Sequence, residues 1–265
     1  MTAVDPVIGP LRLGERVADG SFISILESRG LVPTWDVGTS HPLQVPEATT
    51  VIALTWSDGV LMAGDRRATA GNVIAHSRLR KVYAADEHSA VAISGTAGMA
   101  VELIRLFQTE LEHYEKIEGT GLSLEGKANY LATMVRGNLS LAFQGLIVIP
   151  LFCGYDEAQG SGKLFSFDVV GGRYDELNYA TTGSGGMEAK SFLKSAWRPG
   201  LNQQEALTIA IEALVAAAEE DSATGGPDIK RGIYPTVLAV TADGVIEFSD
   251  DALSATAAQV MESRP

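Results

Sequence analysis

Thr49-Thr50-Val51-Ile52-Ala53-Leu54 is an apolar, β-branched run that opens on two threonines. Branching at Cβ stiffens χ1 and suits a pleated, half-buried surface, so the run predicts a strand from Thr50 to Trp56. Ser57-Asp58-Gly59 follows, and Asp-Gly between apolar runs is a strong hairpin signal. The chain then returns as a second strand over Val60 to Ala63. Short strands near Lys81 to Ala84 and Ala90 to Ser94 continue the series. A sheet is therefore begun before any helix.

Upstream of Thr49 the chemistry differs. Residues 1–48 carry five prolines (Pro6, Pro10, Pro33, Pro42, Pro46), several glycines and one short apolar patch, Phe22-Ile23-Ser24-Ile25-Leu26. This composition predicts a poorly ordered leader, residues 1–48, ahead of one main domain, residues 49–265. At 265 residues, 46% of them hydrophobic, the chain can bury a substantial core.

Charge and special residues exclude several classes of function. Twenty Lys+Arg against 33 Asp+Glu give a net charge of -13, which argues against nucleic acid as a partner. No basic segment precedes an apolar core at the N-terminus, and no run of about 18 apolar residues occurs. The expectation is a cytoplasmic chain with no membrane segment. Cys153, the single cysteine, lies in an apolar run and is expected to be a buried thiol, and a disulfide within the chain is impossible. The four histidines, His41, His76, His88 and His113, are scattered, so no metal site is expected and no cofactor is called for.

Downstream, helical and strand patterns alternate in blocks. Val101, Ile104, Leu106, Phe107, Leu111 and Tyr114 recur at helical spacing from Ala97 to Glu118, and Leu131, Met134, Val135 and Leu139 do so from Leu124 to Phe143. Strands are expected at Leu146 to Tyr155, Lys163 to Asp168 and Tyr174 to Thr181. A second helical pair, Gly186 to Ala196 and Gln203 to Glu220, precedes strands at Thr236 to Thr241 and Val245 to Phe248, joined through Ala242-Asp243-Gly244. Blocks of strands between pairs of helices point to stacked sheets covered by helices, an α+β chain folded as a four-layer αββα sandwich.

The opening threonine also carries a chemical possibility. A threonine hydroxyl is a poor nucleophile and needs a base; if the Ala48–Thr49 bond is cut, the freed α-amine of Thr49 is that base. Its ordinary pKa, about 7.7 to 8.0, is already close to working pH. The plainer reading is a β-branched residue that starts a strand.

Four motifs resemble the N-terminal half of a 20S proteasome β subunit, a member of the N-terminal nucleophile hydrolases. They are Thr49 to Leu54, Gly64-Asp65-Arg66-Arg67-Ala68-Thr69, Arg80-Lys81-Val82-Tyr83 and Ser94-Gly95-Thr96-Ala97-Gly98. Gly154-Tyr155-Asp156, Gly183-Ser184-Gly185 and Asp221-Ser222-Ala223-Thr224-Gly225-Gly226-Pro227-Asp228 resemble its later motifs. The resemblance spans Thr49 to Asp250, and the long leader and the Asp-Ser-Ala-Thr-Gly-Gly segment are similar to those of actinobacterial β subunits. This family has the αββα fold, so the two routes to the architecture agree.

The resemblance implies roles. Thr49 would be nucleophile and base of a threonine endopeptidase. Lys81 would disfavour protonation of its amine and stabilise its deprotonated hydroxyl, Asp65 would hold Lys81, and Arg67 would brace the cluster. Gly95 would offer its backbone N–H to the oxyanion, while Ser184, Asp221 and Thr224 would surround the amine with hydrogen bonds. The family often has serine where Thr224 stands. Ala68, Leu79, Tyr83, Ile93, Ala97 and Val101 would line an apolar pocket for the residue before the cut bond, and Thr69 would bind the substrate backbone. Each of these residues also has a plainer explanation in core packing, turns or caps.

The same resemblance implies seven-membered rings, two β rings stacked between rings of proteasome α subunits, fed with unfolded, tagged proteins by a ring-shaped ATPase unfoldase. One departure bears on activation: the family usually has glycine before the threonine, and this chain has Ala48. Self-cleavage between Ala48 and Thr49 is expected nonetheless, because alanine is small. Two alternatives stay open, a two-ring threonine peptidase that works with an unfoldase and a non-catalytic β-type ring subunit whose leader stays attached.

Overall fold

The computed structural model describes residues 49–264; the expected leader, with Ala48, lies outside the described residues. Strands β1 (Thr50–Trp56) and β2 (Gly59–Gly64) form the expected hairpin around Asp58-Gly59. After them come β3 (Ala68–Ala70), β4 (Val73–His76), β5 (Val82–Asp86) and β6 (Ser89–Gly95), then helices α1 (Ala97–Glu118), α2 (Leu124–Gly137) and the single turn α3 (Leu139–Ala142). β7 (Val148–Asp156), β8 (Ser161–Phe167), β9 (Arg173–Glu176) and β10 (Tyr179–Gly183) lead to α4 (Gly186–Ala196) and α5 (Gln203–Glu220). β11 (Thr236–Thr241), β12 (Gly244–Glu247) and α6 (Asp250–Glu262) complete the described chain.

Two antiparallel five-stranded sheets result, ordered β10-β1-β2-β11-β12 and β5-β6-β7-β8-β9, with β3-β4 as a separate pair. The first sheet packs one face on α4, α5 and α6 through Ile52, Leu54, Leu61, Leu207, Ile211, Leu214 and Leu253. The second covers itself with α1 and α2 through Val91, Ile93, Leu103, Phe107, Leu131 and Phe152. Between the sheets, Val51, Ala53, Val60, Met62, Ala92, Leu151, Leu164 and Val240 form a third apolar layer. Alternation along β1 explains the split: Ile52 and Leu54 face helices while Val51 and Ala53 face the other sheet. This is the four-layer αββα sandwich. Cys153 lies in that middle layer, fully buried, and burial pushes its thiol well above the ordinary range.

Three details differ from the sequence expectation. The helix expected through Phe143 stops at Gly137, where glycine is a weak helix former and the Asn138 amide turns back to the Met134 carbonyl at 3.1 Å. The strand expected over Tyr174 to Thr181 is two strands in two sheets: β9 pairs with β8 and β10 with β1. At the crossing Asn178 accepts from the Thr55 N–H at 2.8 Å, while Leu177 is exposed. Finally, β3, β4 and α6 were not expected. The α6 signal is legible in retrospect, with Ser249 as N-cap, Asp250 and Asp251 in the first turn, and Leu253, Ala257 and Val260 at helical spacing.

Phe107 anchors the helical cover of the second sheet, stacked with Tyr130 (6.4 Å) and edge-on to Phe152 (5.8 Å). Phe107→Ala should lower stability by about 3–5 kcal/mol, read from the denaturant midpoint of the purified chain. No helix among the described residues is long and apolar enough to cross a membrane.

Candidate active site

Register brings the first pair together. Val51 faces Gly64 across the β1–β2 hairpin, so Asp65, the next residue, lies beside Thr50 and one position from Thr49. The Asp65 N–H donates to the Thr50 carbonyl at 3.1 Å, and the Thr50 N–H donates to Asp65 Oδ1 at 2.9 Å. Lys81 arrives from the other sheet, immediately before β5, and its Nζ reaches Asp65 Oδ1 at 2.5 Å and the Arg67 carbonyl at 2.5 Å. Both side chains are buried, at 2% and 0% exposure, so a desolvated ion pair spans the two sheets. Asp65 Oδ2 accepts from the Arg67 and Gly225 N–H groups, both at 2.9 Å, which fixes the carboxylate from the other side. Burial pulls the Lys81 ammonium below its ordinary pKa, while Asp65 and Asp221 oppose that shift and Arg67 adds to it.

A second cluster forms where α5 ends. Asp221, its C-cap, accepts from the Ser184 hydroxyl at 2.5 Å and from the Thr224 hydroxyl at 2.6 Å, both on Oδ2, and from the Ala223 N–H at 3.0 Å on Oδ1. Burial works against ionisation of Asp221, but these donors and the Lys81 charge hold its carboxyl below the usual range. Arg67 braces the loop by donating Nη1 to the Ser222 carbonyl (3.0 Å) and the Thr224 carbonyl (3.1 Å).

Thr49 sits between the clusters and is 5% exposed. Its carbonyl accepts from the Ser184 N–H at 3.0 Å. Gly183 makes that approach possible: its φ is +105°, and a Cβ there would stand 1.6 Å from the Thr49 carbonyl oxygen. Gly95, at the end of β6, has the same φ of +105°, and a Cβ would stand 2.1 Å from the Ile147 oxygen.

Two cavities meet at Thr49 and Gly95. One is a tight pocket with about 10 Å³ free, lined by Leu79, Tyr83, Ile93, Ala97 and Val101, together with Lys81, Arg80, Ala100 and Ile104. The other, about 570 Å³, opens toward β10 and the start of α4 and is lined by Ser94, Ile147, Ile149, Thr181, Thr182, Gly183, Ser184, Gly186, Met187 and Lys190. A nucleophile at Thr49 would therefore work at the junction of an apolar pocket and a larger cleft, beside a buried cation.

Thr49, Asp65, Lys81, Gly95, Arg67, Ser184, Asp221 and Thr224 thus converge, as do five of the six residues expected to line the pocket. Ala68 is the exception, because it lies buried on β3 outside that lining, and Thr69 follows it there. Sequence reasoning missed Thr50, whose buried Oγ1 lies 2.6 Å from Thr224 Oγ1, and the whole larger cleft. The doubled threonine was the available signal for Thr50. Nothing in the spacing of Ile147, Ile149 and Met187 signals that they share a cavity.

A family model described as Proteasome subunit matches residues 45–229, well over half of the chain and all of the elements that build this site. That family consists of hydrolases of the αββα sandwich architecture whose subunits assemble with one another in rings, and this chain belongs to it, as a proteasome subunit.

Proposed function

We propose that the chain is a catalytic β subunit of a bacterial, actinobacterial-type 20S proteasome, a threonine endopeptidase that hydrolyses peptide bonds of unfolded proteins. The carrying observation is the buried Lys81–Asp65 pair, 2.5 Å apart, whose lysine lines the same pocket as Thr49. A purely structural ring subunit has no use for a desolvated ammonium at that place, where its upkeep costs several kcal/mol of desolvation per ion.

In this reading residues 1–48 are a leader that keeps the precursor inactive, because the Thr49 nitrogen is an amide until cleavage. The Thr49 hydroxyl attacks the Ala48 carbonyl, the C–N bond breaks to leave an ester on Oγ and a free amine, and water hydrolyses the ester. In turnover the Thr49 amine takes the hydroxyl proton as Oγ adds to the substrate carbonyl. The tetrahedral oxyanion accepts from the Gly95 N–H, and collapse expels the new amine terminus, which takes its proton from the Thr49 ammonium. Water, activated by the same amine, then releases the acyl half. Lys81 keeps the amine unprotonated by charge repulsion, and Asp65 orients Lys81. The pocket of Leu79, Tyr83, Ile93, Ala97 and Val101 accepts an apolar side chain before the cut bond, and the larger cleft receives the departing segment. Seven-membered β rings stacked between α rings, an ATPase unfoldase and tagged substrates belong to the same reading.

The test is intact mass and N-terminal sequence after co-expression with an α-type subunit. Wild type is expected to begin at Thr49 and Thr49→Ala to keep its leader. A Thr49→Ala chain that still lost the leader would contradict self-cleavage. An assembled wild-type particle that kept the leader would favour the non-catalytic ring subunit, with Ala48 as the first suspect.

A further inference from the structure

Thr50 takes no part in the steps above, yet it is completely buried, and a buried hydroxyl has to be paired. Its Oγ1 accepts from the Gly185 N–H at 3.0 Å and lies 2.6 Å from Thr224 Oγ1. The direction of that second bond follows by elimination. A carboxylate only accepts, so the Thr224 proton goes to Asp221 Oδ2 at 2.6 Å, which leaves Thr224 Oγ1 as acceptor and the Thr50 hydroxyl as donor. Gly185, Thr50 and Thr224 thus form a one-way series of donors ending on Asp221, each bond polarising the next. Ser184 reaches the same Asp221 oxygen at 2.5 Å.

The backbone of Thr50 serves the other cluster. Its N–H donates to Asp65 Oδ1, the atom that also accepts from Lys81. Space at Gly185 is adapted to the series as well: a Cβ there would stand 2.7 Å from Thr224 Oγ1 and 2.9 Å from Thr50 Oγ1.

We infer that Thr50 is a positioning residue, whose hydroxyl series fixes Asp221 and Ser184 relative to Thr49 while its amide fixes the oxygen that holds Lys81. The inference rests on the peptidase reading. Without the hydroxyl, the Gly185 N–H loses its acceptor and Thr224 its donor. Asp221 is then freer to turn toward the Thr49 ammonium, stabilising the protonated amine and raising the pH at which the base is released.

The experiment follows release of a fluorogenic peptide's dye by the assembled particle across pH, for wild type, Thr50→Val and Thr50→Ser. Rates are normalised to the fraction of chains that begin at Thr49. Thr50→Val keeps the shape and loses the series; kcat should fall about ten- to hundredfold with KM within about twofold. The acid limb of the profile should move up by about half a pH unit, and Thr50→Ser should restore both rate and limb. A merely structural role would lower the rate equally at every pH, so an unmoved limb, a full-rate Thr50→Val or a failed serine rescue overturns the inference. If Thr50→Val does not assemble, Thr224→Val breaks the next link and must move the limb the same way; an unmoved limb there overturns it too. Wild type without activity overturns the peptidase reading and this inference together, whereas active wild type with unmoved limbs in the variants overturns this inference alone.

Discussion

On the proposed peptidase reading, Lys81→Met should abolish peptide hydrolysis and destabilise the chain at once, and the two effects should separate on a second substitution. The methionine fills the space of the lysine stem but leaves the Asp65 carboxylate buried without its cation. Breaking a buried pair in this way costs about 3–5 kcal/mol, measurable as a shift of the denaturation midpoint. Adding Asp65→Asn removes the orphaned charge, so part of that stability should return. Its amide cannot reproduce every acceptor, since Asp65 also receives the N–H groups of Thr50, Arg67 and Gly225, so recovery should be incomplete. Activity should not return at all. Loss of a positioned charge at the reacting amine is expected to lower kcat by about a thousandfold or more, and the double variant still lacks the ammonium. A double variant that regained hydrolysis would show that Lys81 matters only for folding.

Gly183→Ala is the second large effect, and its target is geometry. A methyl at that position would meet the Thr49 carbonyl oxygen at 1.6 Å, so Thr49, the Ser184 N–H that binds it, or both have to move. The φ of +105° adds backbone strain of about 1–3 kcal/mol for any residue with a Cβ. A displacement of about 1 Å at a nucleophile costs about a hundredfold in rate, so both leader removal and peptide hydrolysis should fall at least that far, measured by mass and by dye release. Gly119→Ala is the matched control. It has φ of +71° at the C-cap of α1 but no atom within 4 Å of the added Cβ, so it should pay only the local strain and leave rates unchanged.

These two sites differ in how far the sequence announces them. Local chemistry was legible: Asp-Gly gave the first hairpin, helical spacing gave α1, α4 and α5 their bounds, and the alternation of blocks gave the layers. What failed depended on long-range partners. Asp175, Glu176 and Asn178 interrupt the stretch from Arg173 to Gly183, but nothing in it marks that its first half pairs with β8 and its second with β1. Similarly, β3 and β4 are three and four residues long, too short for alternation to register, and all of β4 is exposed. In the site, the polar side chains were named through the resemblance of their motifs, because Asp65, Lys81 or Ser184 taken alone has a plainer explanation in a turn, a surface or a cap. Cavities were not legible, because Ile149 and Met187 meet only when β7 and α4 are packed, and Ala68, expected in the pocket, lies on β3 outside its lining.

The anchorage of Thr49 has a consequence for maturation. Its described tethers all lie on the carboxyl side of the residue: the Ser184 N–H on its carbonyl, the space above Gly183, and the ladder of β1 from Thr50 onward. Severing the peptide bond on the amino side cuts none of them. If Thr49 is the nucleophile proposed above, it is moored like a boat by its stern, and these described contacts still hold it after the amino-side bond is cut. On the proposed self-cleavage, none of these described tethers has to be remade once the Ala48–Thr49 bond is cut.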